Sequence, residues 1–498
     1  MPKKVIILLF IIAIVVNLNL LIGPPATLID ADSGFYLESA SKITVNAIIN
    51  KEIHFVGYHL FYLFMALLLK LSFNNIYIFK FYEILLIFIS SLIFYKISYS
   101  ILLYNESKRV NVNKNNKLKS VKALMVSVAY ISLLSYSGWL EGGNLREEYA
   151  LLPYICSLYF LFGYYYDFVK INWKNSMIFG IMLGVTPLFK EPFALIVLPA
   201  VLFTFYFFIK KKNKANLLFF FMGLILPILI MMGLSLFLNG EFMSMFNLTH
   251  KIAYTQQYGG GSSVLRIVKN IRNLFFRIVL TPFGVIFLSF FLNNIYLSLK
   301  KKISGAIVLF NTTCFLLSIL FFVMIQVFQP HYLMQFIPMF IIALLFSILS
   351  CNDNEFKLHT SIIIVILFSI TIYNIQTVAD NQNRLGSNNI ELHKIQDAID
   401  SSGYIVNNLF VNFSGPFSYN FLLSKPSLDN YNYFNSQYSD ENDFKINLII
   451  EEIKEKKPDF IYYNKDLKFK YGYLIFEEIG HLYNKTSVNN LYRYNRFQ

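Results

Sequence analysis

Charge is scarce in this chain. Asp, Glu, Lys and Arg make up only 14% of its 498 residues, against about a quarter in a typical soluble domain. With 56% hydrophobic residues and a mean hydropathy of +0.51, that shortage excludes an ordinary soluble fold and implies a polytopic membrane protein. Acids are scarcer than bases, 29 against 43, which leaves a formal net charge of +14. Nucleic acid is still no implied partner, because the bases sit in short loops between apolar runs, as the positive-inside rule expects. Cysteine is nearly missing. Cys156, Cys314 and Cys351 lie in or beside apolar segments, so no disulfide framework is implied and packing is their reading. No internal repeat of useful length is visible. The triple glycine of "YGGGSS" matches neither a Walker nor a dinucleotide fingerprint. No clear A-x-A cleavage site follows the apolar run Val5 to Ile22. That run is also long for a signal-peptide core of about 7–15 residues, so it reads as an uncleaved first transmembrane helix.

What the chain has in abundance is long apolar runs. A spanning helix needs about 20 mostly apolar residues. Eleven candidate spans follow: 5–22, 76–103, 121–137, 148–168, 176–189, 192–209, 216–238, 274–298, 303–328, 332–350 and 358–377. Residues 57–73 are apolar but short and read as an interfacial helix within a first outer loop, 23–75. With the N-terminus inside, three basic loops fall on the cytoplasmic side. They are Lys108 to Lys122, Lys210 to Lys214, and Lys300 to Lys302. Lys170 and Lys174 fall there too.

The outer side then carries a mixed set: Asp30 and Asp32, Arg146 to Glu148, Lys190 and Glu191, the long loop 239–273, and Gln329 to His331. Mixed acids, bases and a histidine gathered on one face suggest a working site at the outer membrane surface. The transmembrane domain is expected over 1–377. From Val378 the chain turns polar, and alternating helix and strand patterns predict an α/β domain over 378–498. "IELHKIQDAID", "INLIIEEIKEKK" and "YLIFEEIGHLY" read as helices; "YIVNNLFVNF", "PDFIYYN" and "NLYRYNR" read as strands. Eleven spans from an inside start place this domain outside.

Each polar group has a structural and a functional reading. Asp30 and Asp32 could cap a helix starting near Ser33, or act as general base or metal ligand. Glu147 and Glu148 suit a helix N-terminus, or shape a site with Arg146. Lys190 and Glu191 could form an ion pair capping a helical hairpin, or Lys190 could meet a lipid phosphate with Pro192 opening the next helix. His331 could be an interfacial histidine or a hydrogen-bond donor to phosphate. Lys251, Arg266, Lys269 and Arg272 make the 239–273 loop basic although it faces out, which suits an anionic ligand.

Taken together, several stretches resemble the GT-C membrane glycosyltransferases. The likeness is strongest to the polyprenyl-phosphate-sugar-dependent branch of protein O-mannosyltransferases and aminoarabinose transferases. "DSGFY", Asp32 to Tyr36, resembles the D-S-x-x-Y of the family's first outer loop, and "GYHLFYLFMALLLKL" is similar to the helix after it, with His59 where proline is common. "NLREEYALLPYICSLYFL" resembles the acidic start of a later helix. "GVTPLFKEPFALIVLPAVL" is similar to the L-T-K-x-P-x-x-L-L-L-P turn, with Lys190 on its lysine. "HYLMQFIPMF" resembles R-Y-L-L-P-x-x-P, with His331 on the basic position. "KPDFIYYN" and "LYRYNR" are similar to strands of the outer C-terminal domain.

The resemblance implies an inverting transfer of a sugar from a polyprenyl-phosphate donor at the outer face of a bacterial plasma membrane. Asp32 would be the general base and Asp30 a second candidate. Tyr36, Arg146, Glu148, Lys190 and His331 would contact substrate. Lys190 and His331 would hold the phosphate, and Arg146 with Glu148 would shape the acceptor side. The implied partners are the lipid-linked donor, membrane lipids and a glycan, lipid or protein acceptor. No cofactor is specified, and Asp30 with Asp32 is compatible with a divalent metal. A transporter or flippase of lipid-linked sugars would instead carry polar groups near the bilayer midplane. Here Glu83 is the one obvious acid within an apolar span. A polymerase or ligase would share the many helices and large outer loop, but not the D-S-x-x-Y start together with the α/β domain.

Overall fold

The structure is a computed structural model. It describes residues 2–21, 37, 40–41, 43, 59–107, 116–136, 146–239, 263–276, 282–324, 330–350, 353–401, 410–412, 450–463, 476–488 and 491–495. Among these, the helices are α1 (Lys3–Val16), α2 (His59–Leu71), α3 (Ile76–Ser107), α4 (Asn116–Leu134), α5 (Arg146–Tyr165), α6 (Trp173–Phe189) and α7 (Ala194–Lys210). They continue with α8 (Lys214–Asn239), α9 (Ser263–Leu274), α10 (Pro282–Leu299), α11 (Gly305–Met324), α12 (Ile337–Ser350) and α13 (Asp353–Ser401). The chain is a polytopic α-helical membrane protein. Every predicted span falls on a helix. Six helical stretches among the described residues are long and apolar enough to cross a membrane: 76–105, 191–210, 214–234, 305–323, 332–350 and 355–376. The other five predicted spans correspond to α1, α4, α5, α6 and α10.

Several boundaries differ from the sequence reading, each for a local reason. The first helix stops at Val16 rather than running to Ile22, because the Asn17 side chain turns back to donate to the Ala13 carbonyl at 2.8 Å. Lys119 and Lys122 belong to the first turns of α4, not to a solvated loop. Lys119 donates to Asn116 Oδ1 at 3.0 Å, and Lys122 lies 5.2 Å from the Phe356 ring with its ammonium 3.4 Å from the Ile348 carbonyl. Such burial of the aliphatic stem leaves only the charged tip to be satisfied. The span predicted at 274–298 is α10 alone, and the basic stretch before it forms the separate helix α9.

The chain forms two compact units. The first comprises residues 1–19, 81–231 and 260–377. Its α12 is buried along almost its whole length, with α4, α10 and α11 packed around it. Lipid is as apolar as leucine, so such helices are held by close packing and polar bridges rather than by hydrophobicity. Both devices are present. Gly180 and Gly184, a G-x-x-x-G pair on α6, meet the backbone of α8 at Phe220 and Leu224, and Gly223 meets Met177 in return. A Cβ at any of these positions would collide with a carbonyl group. Asn374 donates to the Val16 and Ser135 carbonyls at 2.9 and 2.7 Å, while Asn17 donates to Ser135 Oγ at 2.6 Å. These bonds tie α13, α1 and the end of α4 together. Asn294 and Asn311 donate to the Ala343 and Met339 carbonyls on α12 at 2.9 and 3.1 Å.

The second unit comprises residues 20–80, 232–259 and 378–498. Its strands are β1 (Phe410–Asn412), β2 (Phe460–Tyr462), β3 (Tyr483–Lys485) and β4 (Leu491–Tyr494). They form a mixed sheet in the order β1-β2-β4-β3, with β1 parallel to β2 and the other pairs antiparallel. Alternation of side chains across the pleat creates two faces. Phe460, Tyr462 and Leu491 pack on Leu392, Ile395 and Ile399 of α13. Val411, Ile461 and Tyr483 pack on Ile450, Ile453 and Ile479. Residues 450–456 are helical, in line with the amphipathic reading. Two expectations are corrected. "IELHKIQDAID" is no separate helix but the end of α13, which runs unbroken from Asp353 to Ser401; no proline interrupts that stretch. Among its described residues, "YLIFEEIGHLY" is helical at 476–479, then passes through a 3₁₀ turn, Gly480–Leu482, into β3.

Candidate functional site

Asp30, Asp32 and Tyr36 lie outside the described residues, as do Lys108, Arg109 and Lys114. The remaining predicted site residues fall on three elements of the first unit. Arg146 and Glu148 are in the first turn of α5. Lys190 sits between α6 and a 3₁₀ turn, Glu191–Phe193, that leads into α7. His331 is in a second 3₁₀ segment, Pro330–Phe336, which precedes α12 and packs on α5; its side chain is outside the description.

The local sequence explains why Lys190 is presented. Pro192 has no N–H, so a helix continued through it would lose a bond. The chain instead leaves the helix at Lys190, which is extended with φ −150° and ψ 119°, and restarts with Pro192 in the first turn. The three acids and bases that open α5 sit where the helix dipole favours negative charge. Glu147 and Glu148 are both buried there.

The resulting ion pairs cross over. Lys190 Nζ lies 2.7 Å from Glu147 Oε1, with side-chain exposures of 5% and 2%. Arg146 Nη1 lies 3.7 Å from Glu191 Oε1, both partly exposed. The expected hairpin pairing of Lys190 with Glu191 is therefore replaced by two pairs that clamp the start of α5 to the α6–α7 turn. The Tyr332 ring faces Lys190 at 4.5 Å from the ammonium, a cation–π contact that strengthens in a desolvated setting. Deeper in, Tyr149 is in electrostatic range of both Glu83 and Glu148, and all three are buried.

Sequence reasoning missed two participants. Glu147 was read as a helix-dipole acid or as part of a site with Arg146, not as the partner of Lys190 that it is; nothing local marks it apart from its neighbour Glu148. Gln335 was read as part of an apolar stretch. It is 1% exposed, and neither of its amide atoms has a hydrogen-bond partner among the described residues. Three-residue spacing in a 3₁₀ segment places it on the same side as Tyr332. A glutamine between Met334 and Phe336 in an otherwise apolar run was the available signal. Among the described residues no three His, Cys, Asp or Glu side chains gather as a metal-binding group.

No family model matches the chain, and no curated protein matches it. Solved structures do. The chain is similar to ArnT from Cupriavidus metallidurans bound to undecaprenyl phosphate, with 14% identity and a TM-score of 0.56 over 91% of this chain and 89% of that one. It is also similar to the apo state of that protein, at 12% identity and a TM-score of 0.54, over 98% and 96% of the two chains. The fold is therefore the GT-C fold of that aminoarabinose transferase, shared along nearly the whole chain.

Proposed function

We propose that the protein is an integral membrane glycosyltransferase that moves a sugar from a polyprenyl-phosphate donor to an extracytoplasmic glycan, lipid or protein. The observation that carries this reading is the likeness, over 91% of the chain, to a transferase crystallised with undecaprenyl phosphate. In this reading Asp32 takes a proton from the acceptor as it attacks the sugar C1, and the anomeric centre inverts. The leaving polyprenyl phosphate is already anionic, so positioning and charge stabilisation matter more than an added acid. Lys190 meets that phosphate. Glu147 and Tyr332 fix its ammonium at that position. His331 joins from the residue before Tyr332. Arg146 and Glu148 line the acceptor side, Tyr36 contacts substrate, and Asp30 is a secondary acid whose pairing with Asp32 suits a divalent ion. The bases of the short loops face the cytoplasm, and the α/β unit lies outside.

The test is turnover by the purified full-length protein with a panel of labelled polyprenyl-phosphate sugars, with and without divalent metal. Loss of sugar from one donor is the expected result. Asp32→Asn keeps the side-chain shape and removes the proton acceptor. A general base contributes about 10²–10⁴-fold, so this variant should lose that much turnover while still binding donor. Near-normal turnover by Asp32→Asn would sink the mechanism. An equal, metal-dependent loss in Asp30→Asn would move it to a metal site.

A further inference from the structure

The second unit holds a pocket that the transfer chemistry does not use. It opens between the end of α13 and the sheet, encloses about 440 Å³, and is lined by Ser401, Phe460, Asn484, Lys485, Ser487 and Arg493, among others. Its volume lies within the range of about 300–1,000 Å³ usual for small-molecule sites. Two features set its chemistry. The first is charge: Lys485 and Arg493 line it, and among the described residues no Asp or Glu does. Neither cation has an ion-pair or side-chain hydrogen-bond partner among the described residues, although acids are available elsewhere in the unit. Glu452, for instance, is spent on Lys456 at 3.0 Å.

The second feature is the arrangement of its walls. Register places Phe460, Arg493 and Asn484 in one row across β2, β4 and β3. That row lies on the α13 side of the sheet, where Phe460 is part of the apolar core. Arg493 is thus a half-buried cation beside an apolar floor, with a side-chain amide next to it. Thr486 does not compete for a ligand; its hydroxyl is spent on the Leu491 and Val488 carbonyls at 3.0 and 3.2 Å, which shapes the β3–β4 turn. Ser487 is exposed on that turn.

An unpaired guanidinium, a nearby ammonium, amide and hydroxyl groups and an aromatic floor in one concavity match a ligand that is both hydroxyl-rich and anionic. We propose that this pocket binds an anionic saccharide. Its phosphate or carboxylate meets Arg493, Lys485 adds positive charge from the rim at a strand position that alternates to the other face, and its hydroxyls meet Asn484 and Ser487. As the docking point of a glycan acceptor, the pocket rests on the transferase reading; as a binding site it does not.

The competing account is that Arg493 only complements the negative end of α13 near Ser401. Titration of the full-length protein in neutral detergent and phosphate-free buffer separates the two, with no lipid donor present. The probes glucose 6-phosphate, glucuronate and glucose are followed by saturation-transfer NMR, and inorganic phosphate, which has no carbon-bound proton, by its competition with glucose 6-phosphate. The two sugar acids are expected to bind and glucose to bind far more weakly, with affinity falling as salt is added. Arg493→Gln should weaken binding about ten- to a hundredfold, the usual loss for a charge-assisted hydrogen bond. Lys485→Gln, at an exposed position that leaves folding intact, should weaken it about tenfold. The proposal is overturned if neither sugar acid binds, or if glucose or inorganic phosphate alone binds as tightly. It is equally overturned if both variants bind like the parent protein, or if binding depends on Lys190 instead. Because no donor is consumed, a failed transfer assay leaves this result standing, and the converse holds.

Discussion

Lys190 and Arg493 are both cations beside aromatic side chains, but the two units treat them in opposite ways. In the membrane unit Lys190 is almost fully buried, paired with Glu147 at 2.7 Å and covered by Tyr332. In the α/β unit Arg493 is half-buried on the wall of an open pocket and has no charged partner among the described residues. The difference follows from the surroundings. A lone buried charge costs several kcal/mol, so the dry site must carry its own counter-charge before any ligand arrives. A water-filled pocket does not need one. A cation that is paired in advance is oriented but must share itself with a ligand; one that is left unpaired is free to take an anion whole.

The largest expected effect would test the first half of that contrast. Glu147→Gln strands the buried Lys190 ammonium and Lys190→Ala strands the buried Glu147 carboxylate, so either should destabilise the membrane unit by about 3–5 kcal/mol. The paired replacement Glu147→Leu with Lys190→Met should recover most of that loss, since a buried ion pair can be exchanged for apolar residues of similar volume. Thermal unfolding in detergent checks both. Donor binding then separates structure from function: the double variant should be stable yet bind polyprenyl phosphate poorly. Full binding by the double variant would reduce Lys190 to a clamp.

A smaller effect is expected where packing, not charge, holds the membrane unit. Gly180→Leu places a side chain against the Phe220 carbonyl and should cost about 1–3 kcal/mol or more through overpacking. Gly233→Leu, on the same helix α8 as the Gly223 contact but with open space around its Cβ position, should be close to neutral. Since leucine forms helix better than glycine at both positions, equal losses in the two variants would show that close approach at Gly180 is not what holds these helices together.

The smallest effect at neutral pH belongs to the α/β unit. Burial raises the Tyr483 hydroxyl above its ordinary range, with Tyr494 and Asp459 adding to it, and the hydroxyl donates to the Pro458 carbonyl at 3.2 Å. The folded unit therefore holds this proton more tightly than the unfolded chain. Its contribution is complete below the unfolded pKa of about 10 and is lost as pH rises from there toward the folded value. Tyr483→Phe should flatten the alkaline fall in stability while changing stability at pH 7 by about 1 kcal/mol. A near-ultraviolet circular dichroism titration from pH 8 upward is the measurement. An unchanged alkaline profile would assign the fall to other groups.

Much of this was legible in the chain. Apolar runs of about 20 residues have few fates, so the helices were placed nearly everywhere, and the alternating pattern after residue 400 yielded three of the four strands. What went astray did so at boundaries and partners. Asn17 ends α1 by a side-chain bond to the Ala13 carbonyl, a choice that composition does not reveal. The 378–390 stretch looks like a polar linker, yet it continues a helix because nothing in it forbids one. β3 is three residues long and hidden in a helical pattern; only pairing with β4 makes it a strand.

The sequence by itself determined that this is a membrane protein of many helices, that its polar groups gather at particular turns, and that Pro192 ends a helix at Lys190. These follow from local rules: transfer of apolar residues out of water, and the missing N–H of proline. Which acid Lys190 chooses, why Gln335 is buried, and that Arg493, Lys485 and Asn484 share a pocket were decided only by the tertiary structure. The reason is physical. A carboxylate one residue to either side is identical in one dimension, but on a helix neighbouring residues point about 100° apart. Only packing against α6 and the 3₁₀ segment at Tyr332 selects Glu147 over Glu148.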